Sequence, residues 1–199
     1  MKQIIYSALA ILAATLIAAA LPTEAEAEIY DDTLRLHILA ASDSEEDQAL
    51  KIRVRDKLLL EYGDALKSSG GIENAISSVK ELLPKIEEDV EAWISEFGYD
   101  YTVKAELSQE WYDTRNYEDF SLPAGIYYSL RIIIGEGRGQ NWWCVMYPPL
   151  CLDLAVERAP GDDGIVDYTR EETRLVHSGK YNVKFKLLEI ISRAFFKKG

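Results

Sequence analysis

The chain has 199 residues, with 22 Lys and Arg against 34 Asp and Glu, for a formal net charge of -12. So acidic a surface repels nucleic acid and anionic lipid headgroups, which excludes polyanionic partners. Two cysteines and two histidines are the whole supply of thiol and imidazole; too few stand close together for a metal cage, and no cofactor is implied.

The N-terminus sets the compartment. Lys2 is the only early charge, and Ile4 to Leu21 carries none. Pro22 ends the run, and Ala25-Glu26-Ala27 offers small residues on either side of a cleavage position. This is the layout of a secretory signal peptide over residues 1–27, cut after Ala27. The competing reading is an uncleaved anchor, because about 20 apolar residues can span a bilayer. Cleavage would leave 172 residues with a net charge of -11. That length suits one exported domain over residues 28–199 with its own core.

Leu34 to Ser42, "LRLHILAAS", reads as a buried strand. A helix follows through Leu66. Ser42, Asp43 and Ser44 suit its N-cap, acids crowd its first turn, and Leu50, Val54 and Leu58 form its buried stripe. After "KSSGG" comes a second helical pattern. Ile72, Ile76, Val79, Leu83, Ile86, Val90, Trp93 and Phe97 recur in steps of four and three. Pro84 interrupts this seam without shifting its phase, so a kinked helix and two helices end to end both fit. The seam is expected to cover a sheet rather than to dimerise, and no homo-oligomer is expected. From Tyr101 the period becomes two. Tyr101, Val103, Ala105 and Leu107 share one face, and Thr102, Lys104, Glu106 and Ser108 the other.

"IYYSLRIII", "GEGRGQN" and "WWCVMY" read as strand, glycine turn and strand, a hairpin over about residues 125–147. Residues 157–180 are a charged excursion without a period, and Leu187 to Phe195 form a short apolar helix face. The expected fold is therefore α+β, with a mixed or mainly antiparallel sheet packed by two to four helices. Cys144 and Cys151 flank "VMYPPL"; an even cysteine count in an exported chain favours a disulfide, and two buried thiols are the alternative.

The chemistry-bearing residues make no conventional catalytic set. "GEGRGQ" is followed by a strand rather than a helix, so it cannot cradle a dinucleotide. His37 lies inside a strand and reads as a satisfied structural histidine. His177 lies in the charged excursion. Trp142 and Trp143 are adjacent on a strand, so they face opposite sides; the outer one is either an interface anchor or covered by a second layer such as the charged excursion. The competing class is a secreted cell-wall hydrolase, which would need a pocket joining His37 to Asp43 or Glu136.

Two blocks go further. Leu34 to Asp56, "LRLHILAASDSEEDQALKIRVRD", and Leu122 to Cys151, "LPAGIYYSLRIIIGEGRGQNWWCVMYPPLC", resemble the stage II sporulation protein R family of endospore-forming bacteria. "VKFKLLEII" near the end looks similar too. Ala41 stands where the resemblance leads one to expect asparagine. The resemblance implies a signalling protein exported from the forespore into the space facing the mother cell. There it would activate a membrane-embedded aspartic-type protease that processes pro-sigma-E. The partner would carry the chemistry, so this chain would be an activator and not an enzyme. Asn141, Trp142, Trp143, Pro148 and Pro149 are the expected contact surface, with His37, Asp43 and Asp47 as secondary candidates.

Overall fold

The computed structural model describes residues 2–20, 24–66, 71–116 and 121–148. Pro149, Cys151, His177, the 157–180 excursion and the C-terminal helix face lie outside the described residues. The expected Cys144–Cys151 bridge therefore lies outside them too.

Two compact units are distinguished. One holds Met1–Ile29 and Trp111–Gly125, with helix α1 (Lys2–Ala20), most of α2 (Glu24–Asp31) and an antiparallel ribbon of β3 (Arg115–Asn116) and β4 (Ser121–Leu122). Along α1, Ile4, Ile5, Tyr6, Leu9, Ile11 and Leu12 are all exposed. Among the described residues, no helix is long and apolar enough to cross a membrane.

The other unit runs from Tyr30 to Glu110 and resumes at Ile126. It carries β1 (Leu34–Leu39), α3 (Glu45–Leu66) and α4 (Ile72–Glu96), then most of β2 (Val103–Tyr112), most of β5 (Gly125–Ile134) and β6 (Asn141–Tyr147). The sheet order is β2-β5-β1-β6. β1 runs parallel to β5 and antiparallel to β6. The fold is α+β with a mixed sheet, as expected.

The hairpin is not there. β5 and β6 are consecutive in sequence, but β1 lies between them. The reason is burial. Leu34, Leu36 and Ile38 are fully buried, and Arg35 and His37 on the opposite face are buried as well. A strand covered on both faces belongs in the middle of a sheet, with a ladder on each edge. The glycine segment therefore strides across the end of β1, and backbone hydrogen bonds fix it there. Gly139 donates to Ala40 O at 2.9 Å, Arg138 to Ala41 O at 3.3 Å and Gly135 to Thr102 O at 2.8 Å. Gly139 must be glycine, because a Cβ would sit 2.1 Å from Ser42 O.

α3 and α4 pack on each other and on β1. The expected stripe of α3, Leu50, Val54 and Leu58, is at most 1% exposed. α4 is one continuous helix with Pro84 inside it on the exposed side. Its seam is spent inside this unit, with Ile72, Val79, Ile86, Val90 and Trp93 buried. The helix ends where Gly98 adopts φ +87, a conformation that costs glycine little. The helices also meet through polar groups. The Tyr62 hydroxyl donates to Asp89, and Lys57 Nζ lies 5.0 Å from the Trp93 ring centre.

Candidate functional site

Strand register sorts the sheet into two faces. Ile38 stands opposite Trp142 and Leu36 opposite Cys144. Arg55 of α3 lies over the Trp142 ring at 5.1 Å, so this is the face the helices cover. One step along β1 the sense reverses. His37 stands opposite Arg131 on β5 and opposite Trp143 on β6. The His37 and Trp143 rings lie 5.6 Å apart. The second face therefore carries a row of polar and aromatic groups across the sheet.

β2 completes that row. Its alternation turns Lys104, Glu106, Ser108 and Glu110 to one side, and the two glutamates embrace Arg131. Arg131 Nη1 meets Glu106 Oε1 at 2.6 Å, and Arg131 Nε meets Glu110 Oε1 at 2.9 Å. Glu110 Oε2 lies 2.8 Å from His37 Nδ1. An ionised carboxylate can only accept, so Nδ1 carries the proton and donates. Lys104 Nζ closes the far end on Glu106 Oε2 at 2.5 Å. The Glu106 carboxyl is held below the usual range, first by the Lys104 hydrogen bond and then by the Arg131 charge, while burial opposes both. Arg35 adds a fully buried guanidinium, 5.1 Å from the Tyr127 ring centre.

The row is a charge-matched lattice. Two cations meet two carboxylates, and a histidine is oriented by one of them. A histidine held by a carboxylate is also the base-and-orienter half of a catalytic triad. Cys144 cannot supply the nucleophile, because it pairs with Leu36 and projects to the opposite face from His37. Nor are the acids those the hydrolase reading requires. Asp43 Oδ1 accepts the Gln140 N–H at 2.7 Å. Glu136 pairs with Arg138 out in solvent. Among the described residues, no group of three His, Cys, Asp or Glu is arranged to hold a metal ion.

The secondary candidates Asp43 and Asp47 shape the strand-to-helix turn. Ser44 Oγ accepts the Asp47 N–H at 3.1 Å as the N-cap of α3. Asp47 Oδ2 accepts from Ser42 Oγ at 2.5 Å, and Asp47 also takes a hydrogen bond from Tyr101. Lys51 Nζ donates to Gln140 O at 2.9 Å and to Gln48 Oε1 at 2.6 Å. Burial pushes that ammonium below its ordinary range, against the raising influence of Asp43.

Of the expected contact surface, Asn141 is exposed and Trp142 and Trp143 are half-buried on opposite faces. Pro148 is buried after a cis peptide bond, and His37 and Asp47 are buried too. The sequence reading brought Trp143 and His37 forward but missed Arg131, Glu106 and Glu110. One signal was available: Arg35 and Arg131 are lone charges inside apolar strand runs, and a buried charge requires partners.

The sequence profile of the stage II sporulation protein R family matches residues 30–156. The chain is 33% identical over 149 residues to a protein of Bacillus subtilis (strain 168) described as "Stage II sporulation protein R". That alignment covers 74% of this chain and 66% of the relative, just under two thirds of its length. No solved structure matches. The matched span takes in β1 through β6, and with it every residue of the polar row; the chain belongs to the stage II sporulation protein R family, and its role is in sporulation.

Proposed function

We propose that this protein is an exported sporulation signal. It passes from the forespore into the space between the forespore and mother-cell membranes. There it activates a membrane-embedded aspartic-type protease, and pro-sigma-E is processed in the mother cell. The observation that carries the reading is the family match over residues 30–156. Two features support it. Ile4, Ile5, Tyr6, Leu9, Ile11 and Leu12 of α1 are exposed apolar side chains, as in a segment meant for an export channel. The His37–Glu110–Arg131 set is engaged in structural pairing, which suits a ligand better than a catalyst.

Activation works by population shift. The signal binds the active arrangement of the protease more tightly than the inactive one and draws the equilibrium toward it. The contact surface is the start of β6, where exposed Asn141 is followed by the half-exposed Trp142 and Trp143. Aromatic groups at such a place anchor protein interfaces.

The test is co-expression in a non-sporulating host. The membrane protease and its pro-sigma-E substrate are supplied with and without this chain, and precursor cleavage is followed by gel. Cleavage should occur only when the chain is present. An uncut precursor beside exported, folded protein would reject the activator reading.

A further inference from the structure

The β1–β6 ladder ends at the Leu39–Asn141 pair. One residue earlier, Gln140 is held on both sides by side chains from a distant part of the chain. Its N–H donates to Asp43 Oδ1 at 2.7 Å, and its carbonyl accepts from Lys51 Nζ at 2.9 Å. One partner is a carboxylate and the other an ammonium, so both bonds are charge-assisted, the stronger kind of hydrogen bond. The ammonium is itself steered. Lys51 Nζ also donates to Gln48 Oε1 at 2.6 Å, and Gln48 Nε2 donates to Ser42 O at 2.9 Å. The turn after β1, the first turns of α3 and the start of β6 close one circuit.

Gln140 is exposed, yet Lys51 is only 5% exposed. Water can serve an exposed carbonyl, whereas burying an ammonium costs free energy. Satisfying one hydrogen bond therefore does not account for Lys51. The best-attested use of a buried charge is to fix a register. Here the register belongs to the residues that follow Gln140. One helical turn on from Lys51, Arg55 lies over the Trp142 ring at 5.1 Å, with its guanidinium 2.6 Å from Asp56 Oδ1. α3 grips the start of β6 at two points, the backbone of Gln140 and the ring of Trp142, with exposed Asn141 between them.

We propose that Lys51 and Asp43 are positioning residues that set the pose of Asn141 and Trp142 for docking of the protease. The inference rests on the signalling reading and on the contact surface assigned to the start of β6. Neither residue has to touch the partner. A surface held in its bound pose beforehand loses less conformational freedom on contact and so binds more tightly. Without the clamp the same side chains are present but must be ordered by the partner. Asp43 acts through the hydrogen bond it accepts, not through its charge.

Two measurements on the full chain test this. In the first, the protein carries fluorotryptophan, and the fluorine NMR signal of Trp142 is identified with Trp142→Phe. Lys51→Met removes the donors at similar length and should shift or broaden the Trp142 signal while leaving that of Trp93 in place. Asp43→Ala should do the same, and Asp43→Asn, which keeps an acceptor oxygen, should restore the parent signal. In the second, the level of the chain is graded in the co-expression host. The amount of folded, exported chain that gives half-maximal precursor cleavage should rise about tenfold in Lys51→Met and in Asp43→Ala, as expected for one lost charge-assisted hydrogen bond. It should return toward the parent value in Asp43→Asn. Counting only folded protein removes a loss of stability from the comparison. Asp43 is exposed, so Asp43→Ala decides the question even where Lys51→Met does not fold. A Trp142 signal unmoved in Asp43→Ala, or a half-maximal amount equal to the parent's, overturns the proposal. So does an Asp43→Asn variant as weak as Asp43→Ala, which would make the charge itself the contact. A parent chain that triggers no cleavage at any level rejects the signalling reading instead, and the fluorine signal still decides whether the clamp sets the pose.

Discussion

Glu110 carries two partners at once, and that makes it the residue on which the polar row depends. One carboxylate oxygen orients His37 and the other holds Arg131. Glu110→Ala should destabilise by about 1–3 kcal/mol, because His37 loses its hydrogen-bond acceptor and Arg131 loses an ion-pair partner together. Lys104→Ala, at the solvent end of the same row, should cost less than about 0.5 kcal/mol. Urea unfolding of the two variants measures the contrast, and equal losses would contradict the geometry. Acid should act both on this row and between the helices. Glu106 is held below the usual carboxyl range, led by its Lys104 hydrogen bond, and Asp89 by its hydrogen bond from Tyr62 and then Lys85. Both groups ionise more readily folded than unfolded. Their stabilisation is complete above the unfolded value, about 4.3 for Glu, and is lost as pH falls through the lower folded value. Unfolding midpoints recorded against pH should fall away below about pH 4, and Glu106→Gln should flatten that slope.

At the scale of elements, the helices were readable from the sequence and the strand order was not. The α3 stripe and the α4 seam rest on contacts a few residues apart, which leave a period in the chain. The pairing of His37 with Glu110 joins residues 73 apart, and nothing local marks it. The missing hairpin has the same origin. Strand, glycines and strand look alike whether the turn closes on itself or strides over a third strand, and only the two-sided burial of β1 separates the cases. Ser44 was legible as an N-cap candidate of α3, because capping is also local, whereas the bond from the Gln140 N–H to Asp43, 97 residues away, was not. That the two tryptophans face opposite sides followed from alternation alone, and the strand register decides which lies where. Trp143 lies on the polar face against His37, and Trp142 lies under Arg55. In the co-expression assay, Trp143→Ala should abolish precursor cleavage while the circular dichroism of the purified variant stays that of the parent chain. Normal cleavage would move the contact surface elsewhere.

For the whole molecule, the order in which the sheet closes has a further consequence. The segment from Gly135 to Gln140 is a loop by shape, and several of its residues are exposed. Yet its amides donate to Ala40, Ala41, Thr102, Ile134 and Asp43, as those of a strand donate to a neighbour. An amide exchanges its hydrogen with solvent only when its hydrogen bond opens. In deuterated buffer the amides of Gly139 and Gln140 should therefore exchange nearly as slowly as those of β1, far more slowly than their exposure suggests. Gly139→Ala, whose added carbon would meet Ser42 O, should release that protection across the loop first. A loop that exchanges as fast as open chain in the parent protein would mean that it does not strap β1 in solution. If the protection holds, β6 is latched to the end of β1 and cannot peel from the sheet unless the loop lets go as well.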